Sequence, residues 1–313
     1  MTATPNDPEQ GLVKQEFYSN GKLLLTGEYV VLDGAFALAV PTRYGQSLVV
    51  EPTSSGKLQW ASLNDKGDCW FTVIFSSELI VLETTDKTVA KTLFNILHTA
   101  NAIQPNFLKK IAGYQVTTQM DFPNEWGLGS SSTLINNIAQ WAQCDPFELL
   151  ERSFGGSGYD IAAAQSQTPL LYQRSEMGPE IKSIALDWDF TDQLFFVHLN
   201  KKQDSKLGIE RYRAMSNRRS STLERISELS QEVANCVSLD QLRTLLTEHE
   251  QRIAQLLDMP TVKETRFPDY PGLVKSLGAW GGDFVLASGD AAAMDYFREK
   301  GYHTVIPWAK MLL

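Results

Sequence analysis

The chain has 313 residues, of which 43% are hydrophobic and 21% charged, with a formal net charge of −9. That length exceeds the usual single domain and predicts two. The acidity argues against a broad surface for nucleic acid or anionic membrane, although a local basic patch could still hold a small anion. Cys69, Cys144 and Cys236 form no C-x-x-C pair, so neither a zinc site nor a disulfide scaffold is suggested, and a reducing, cytoplasmic setting is expected. The polar start does not read as a secretory signal, and no apolar run approaches the roughly 20 residues of a membrane helix.

Residues 14–53, "KQEFYSNGKLLLTGEYVVLDGAFALAVPTRYGQSLVVEPT", read as strand-rich, with "KLLLTG", "EYVVLDG" and "QSLVVEP" as short runs between glycine turns. A second pair of strands is expected over 58–75. A helix follows over 88–99, with Val89, Leu93, Ile96 and Leu97 on one face. Then come a strand, "GYQVTTQMDF", a glycine-serine loop, and a helix from about 132 with Leu134, Ile138, Trp141 and Ala142 on its stripe. "DPFELLER" predicts a helix capped by Asp145, with Pro146 at its first position and Glu148 closing a capping box. "FGGSGYDIAAAQ" leads into another helix, and "DQLFFVHLN" is a buried-type strand. Long amphipathic helices are expected over 206–258, followed by "DFVLAS", a helix near 290–300, and a terminal "HTVIPW" strand. The domain boundary is placed near 180, giving 1–180 and 181–313, and the second part reads as α+β.

The chemistry concentrates in "GLGSSS", residues 127–132. Gly127 and Gly129 let the backbone turn sharply, while Leu128 lies between them and Ser130, Ser131 and Ser132 offer hydroxyls and N–H groups at a helix start. Such a helix start is an anion site. Capping alone needs one serine, so the surplus favours phosphate. The Walker pattern is absent, Ser132 stands where the dinucleotide fingerprint wants glycine or alanine, and no G-x-S-x-G elbow occurs.

In order along the chain, "GKLLLTGEYVVLDGAFALA" (21–39), "PNEWGLGSSS" (123–132), "GSGYDIAAA" (156–164) and "GAWGGDFVLA" (278–287) resemble the motifs of the GHMP small-molecule kinases. The nearest likeness is to the mevalonate and phosphomevalonate kinase branch. The resemblance implies an α+β, two-domain GHMP kinase fold, with an N-terminal βα domain, a ferredoxin-like C-terminal domain, and ATP with Mg²⁺ in the cleft between them. By motif match it implies Lys22 near the reaction centre, Glu28 as the glutamate of the first motif, Ser131 on Mg²⁺ and Asp160 as the catalytic aspartate. The expected reaction is phosphoryl transfer to a small anionic substrate, phosphomevalonate before mevalonate. Homoserine and sugar acceptors, or a nucleotide-binding member without turnover, are the alternatives. No nucleic-acid or membrane partner is expected, and a homodimer is left open.

The sequence departs from the family in places. Asn20 replaces a proline, Ser132 and Thr133 replace alanines, and Trp280 replaces a glycine of the last motif. The metal-binding glutamate of mevalonate kinases would fall on Leu149. Glu148 has a capping role, so Glu151 is the candidate that remains. Between residues 200 and 219, seven basic residues stand against two acidic ones. That run reads either as a solvated helix face or as an anion clamp built on Lys201, Lys202 and Lys206.

Overall fold

The structure, a computed structural model, describes residues 13–108, 113–201, 205–214 and 220–313. Two compact units are interleaved along the chain. The first takes the chain up to Ser19, then Gly45–Asn124 and Ser130–Gly156; the second takes Asn20–Tyr44, Glu125–Gly129 and Ser157–Leu313. Strand β1 (Gln15–Thr26) pairs with β2 (Ala37–Pro52), and both strands are divided between the units.

The first unit adds β3 (Lys57–Leu63), β4 (Cys69–Ser76), β5 (Val81–Thr84), α1 (Lys87–Ile103), β6 (Tyr114–Met120), α2 (Ser130–Ala142) and α3 (Pro146–Ser153). Its strands run in the order β5-β4-β3-β6-β2, parallel only between β3 and β6. Period-two alternation sends Leu58 and Trp60 of β3, with Phe71, Val73 and Phe75 of β4, into the core. Asp86 caps α1 by accepting from the N–H groups of Thr88 and Val89, and Leu93, Ile96, Leu97 and Ala100 form its buried face. In α2 the buried stripe is Ile135, Ile138, Trp141 and Ala142, with Leu134 only half-buried at its flank. Trp141 is fixed by edge-on contacts with Phe107 and Tyr114, at centroid distances of 4.6 and 5.5 Å. Asp145 caps α3 and Pro146 opens it, as the sequence predicts. Glu148 does not close a capping box: its carboxylate pairs with Arg152 one turn on, at 2.8 Å.

In the second unit, the expected strand "EYVVLDG" is instead a single 3-10 turn, Val30–Asp33. Tyr29 with φ 63° breaks the extended chain, and Gly34 with φ 90° closes the turn by donating its N–H to the carbonyls of Val30 and Val31. Then follow α4 (Tyr159–Gln165) and the hairpin β7 (Leu170–Ser175) with β8 (Gly178–Ser183), in which β7 pairs with the start of β2. The remainder is β9 (Leu194–His198), α5 (Ser205–Ala214), α6 (Ser220–Ala234), α7 (Leu239–Leu257), α8 (Val262–Arg266), β10 (Val274–Ser276), β11 (Phe284–Ser288), α9 (Ala291–Glu299), β12 (Val305–Pro307) and α10 (Trp308–Met311).

Strands β9 to β12 form an antiparallel sheet in the order β10-β11-β9-β12, with helices after β9 and after β11. This is the β-α-β-β-α-β, ferredoxin-like arrangement. Phe195, Val197, Val285 and Ala287 face one side of the sheet and pack with Phe267, Tyr270 and Phe297. Lys202 lies outside the described residues, as does the side chain of Lys206, and Lys201 is exposed. Among the described residues no helix is long and apolar enough to cross a membrane.

Candidate active site

The glycine loop is shaped by steric demands that only glycine meets. Gly127 has φ 67°, and a Cβ there would stand 2.4 Å from the Asp283 carboxylate, so that carboxylate lies directly against the loop backbone. Gly129 has φ 91°, and α2 begins at the next residue. The leading segment is held from several sides. Trp126 meets Tyr44 and Phe284 edge-on at 5.2 and 5.5 Å, and the Glu125 carbonyl is 3.1 Å from His198 Nε2. Leu128 is completely buried, so it offers the loop only its backbone. Gly127→Ala is expected to destabilise the fold by about 1–3 kcal/mol through the left-handed φ alone. Urea denaturation measures this, and the clash with Asp283 adds to it.

Lys22 joins this loop from β1. Its N–H donates to the Leu128 carbonyl at 3.0 Å, and its ammonium donates to the Gly127 carbonyl at 2.9 Å. The ammonium also stands 6.0 Å from the centre of the Tyr159 ring. Burial lowers the Lys22 pKa, and the charges of Asp160 and Asp283 pull it part of the way back. Asp160 lies in the first turn of α4, after Gly158 with φ 90°. Lys22 thus bonds the carbonyls of Gly127 and Leu128 and lies within reach of the charges of Asp160 and Asp283. Asp283 completes the group; it sits in the "GGD" of the last motif, but nothing in its sequence neighbours announces that it packs on Gly127.

The serines open α2, whose first N–H groups have no acceptor inside the helix. Ser131 is exposed and Ser132 buried. The first turns of α2 are anchored by a buried polar network that periodicity could not reveal. Thr133 Oγ1 donates to Gln46 Oε1 at 2.7 Å, Asn137 Nδ2 donates to the Gln46 carbonyl at 2.8 Å, Asn136 Nδ2 donates to Ser19 Oγ at 2.8 Å, and Ser19 Oγ donates to Asn137 Oδ1 at 2.7 Å. Glu151 is exposed on α3, and no hydrogen bond joins it to Ser131 among the described residues. Leu149 is core. Among the described residues no three His, Cys, Asp or Glu side chains gather so as to hold a metal alone.

Glu28 sits in a buried ionic cluster rather than on the loop. Its Oε1 accepts from Lys275 Nζ at 2.6 Å, and the same ammonium lies 3.2 Å from Glu250 Oε2. Glu250 Oε1 accepts from the N–H and the hydroxyl of Ser276, at 3.1 and 2.7 Å. His249 Nε2 accepts the Gly27 N–H at 2.9 Å, so the imidazole is neutral and protonated on Nδ1. Burial, reinforced by the Lys275 charge, holds its pKa well below the ordinary value. Burial also opposes the Lys275 charge, but Glu28 and Glu250 outweigh it and keep that pKa above the usual lysine value. Burial pushes Glu28 up to about 7 despite Lys275.

The two units, one with its sheet and helices and the other with the ferredoxin-like sheet, have the fold of the GHMP kinases. No protein-family model matches the sequence, and no curated protein sequence matches it. In three dimensions the chain is similar to the mevalonate kinase of Methanococcus jannaschii, with 15% identity, a TM-score of 0.69, and coverage of 94% of this chain and 96% of that one. It is similar to a Streptococcus pneumoniae phosphomevalonate kinase in complex with phosphomevalonate and AMPPNP, with 16% identity, a TM-score of 0.68, and coverage of 96% and 98%. A Lactococcus lactis galactokinase complexed with galactose follows at 13% identity, a TM-score of 0.62, and coverage of 91% and 88%. At these identities the likeness shows the fold.

Proposed function

We propose that the chain is an ATP-dependent kinase that phosphorylates a small acidic metabolite, with phosphomevalonate the first acceptor to test and mevalonate the second. The observation that carries this reading is the convergence of the Lys22 ammonium, the Asp160 carboxylate and the glycine loop. Phosphoryl transfer is catalysed mainly by positioning and by fixed charge around the γ-phosphoryl group, and a lysine held on a glycine loop can supply both. The reading is supported by the loop's make-up: Gly127 and Gly129 both take positive φ, and the serines follow at the helix start.

Mg²⁺, when bound with the nucleotide, would neutralise phosphate charge. Ser131 is proposed to face it through its exposed hydroxyl, with Glu151 a further candidate. Lys22 would hold the transferring group, and Asp160 would accept the proton of a hydroxyl acceptor. Glu28 is assigned to support of the turn behind them, because its carboxylate is bound to Lys275.

Ser131→Ala is expected to raise the Mg²⁺ concentration needed for half-maximal rate about tenfold. Thermal stability should stay close to that of the parent, because the buried network holds α2 without this hydroxyl. Equal Mg²⁺ dependence in both proteins would remove Ser131 from the site. The reading as a whole is tested by ATP consumption across mevalonate, phosphomevalonate, homoserine and galactose. Turnover of a sugar or amino-acid alcohol alone would overturn the acceptor. Binding of Mg-ATP without any turnover would favour a nucleotide-binding member, a reading that Trp280 and Leu149 motivate.

A further inference from the structure

Four ionisable side chains, Glu28, His249, Glu250 and Lys275, are buried together beneath the turn that carries Tyr29. Helix α7 holds the backbone of this turn through the bond from the Gly27 N–H to His249, and β10 holds its side chain through the bond from Lys275 to Glu28. Glu250 ties the two elements together, because it accepts from Ser276 and lies beside Lys275. The turn needs such a hold. Tyr29 is in the left-handed region at φ 63°, where a residue with a Cβ is strained. Its hydroxyl accepts the Trp280 N–H at 3.1 Å, and its ring packs on Tyr212 at 5.9 Å. Tyr29 then forms a wall of a cavity shared with Leu24, Glu28, Tyr159, Ile209 and Ala279.

We propose that Lys275, Glu250 and His249 are positioning residues that act through Glu28 and Gly27 to fix Tyr29, and with it the wall of a pocket for the acceptor's carbon skeleton. The pocket's role rests on the kinase reading; the coupling of Glu28 to Tyr29 does not. The cluster holds two carboxylates, one ammonium and a neutral imidazole, so one carboxylate lacks a full counter-charge in a place where charge is costly. The groups facing Glu28 are Lys275 from β10, Glu250 and His249 from α7, and its neighbour Tyr29; Tyr159 from α4 feels its charge. Burial holds the Glu28 carboxyl up to about 7. Taking up a proton there turns the bond to Lys275 from an ion pair into a weaker ion–neutral hydrogen bond and loosens the turn. Acceptor binding should therefore tighten as pH rises through about 7. Fold stability has the opposite sign: a carboxyl raised in the folded state stabilises the fold at low pH, and that contribution is lost as pH rises through about 7.

The test uses the full-length protein without ligand, carrying ¹³C-labelled tyrosine, with the Tyr29 ring signal assigned from Tyr29→Phe. Between about pH 5.5 and 8.5 the Tyr29 signal should move with a midpoint near neutrality. In Glu28→Gln, which keeps an acceptor for Lys275, that midpoint should vanish together with the pH dependence of the melting temperature. Lys275→Met strands two carboxylates and serves only if it folds. A Tyr29 signal that stays fixed in the parent, or that moves identically in Glu28→Gln, overturns the proposal. In kinetics, Glu28→Gln should raise the acceptor KM about tenfold and leave the ATP KM within about twofold. Equal changes in both KM values would also overturn it. If no acceptor is phosphorylated, the kinase reading has failed separately and the resonance experiment decides alone.

Discussion

Asp160→Asn is expected to lower kcat for a hydroxyl acceptor by about 10³-fold, while a phosphate acceptor loses no more than about tenfold. A hydroxyl must shed its proton as the new P–O bond forms, and a positioned base contributes roughly 10²–10⁴-fold to such a step. A phosphate acceptor is already ionised at neutral pH and has no proton to give. Asparagine keeps the size of aspartate and its first-turn position on α4 but cannot accept that proton as a carboxylate does. The residual loss with a phosphate acceptor would come from Lys22, whose charge Asp160 helps to sustain. Parallel kcat measurements with mevalonate and phosphomevalonate make the comparison. Equal losses would mean that Asp160 orients Lys22 and removes no proton.

Lys22→Met should cost about 10²–10³-fold in kcat with either acceptor, because the charge it supplies is needed whatever the nucleophile. The side chain also bonds the Gly127 carbonyl, so some loop geometry is lost with the charge. Lys22→Arg separates the two effects. The guanidinium keeps the charge but is planar and larger, and it cannot reproduce a single ammonium bond to one carbonyl beside two carboxylates. If Arg restores most of the rate, charge dominates; if it behaves like Met, placement does. Unchanged kcat in Lys22→Met would take this lysine out of the reaction centre.

What the sequence made legible follows from how local each feature is. The glycine loop, Lys22 and Asp160 each lie in a short contiguous motif whose composition exceeds ordinary capping, and the structure brings them together. Helices α1 and α2 announce themselves by period, α3 by its Asp145 cap, and β9, β11 and β12 by apolar runs, whereas the three-residue strand β10 gave no signal. Exposed polar pairings escaped notice: β8, "GPEIKS", is exposed throughout and carries no alternation. The run "YVVLD" read as a strand because β-branched residues favour strands, but Tyr29 and Gly34 bend it into a turn. The cluster around Glu28 was not readable at all. His249 lies 222 residues from Gly27 and Lys275 247 residues from Glu28, and a lysine within "LVKSLG" gives no sign that it is buried.

The hydrogen-bonded seat of α2 bears on how a ligand would be received. Thr133, Asn136 and Asn137 fix the first turns of the helix through Gln46 and Ser19, so its leading amides keep their direction with no ligand present. An incoming anion then meets donors already in place, and little chain entropy has to be surrendered when it arrives. Asn137 can be read in the same way: it spends both ends of its amide inside the protein, on the Gln46 carbonyl and the Ser19 hydroxyl, and so pins the helix from the side rather than from its leading end.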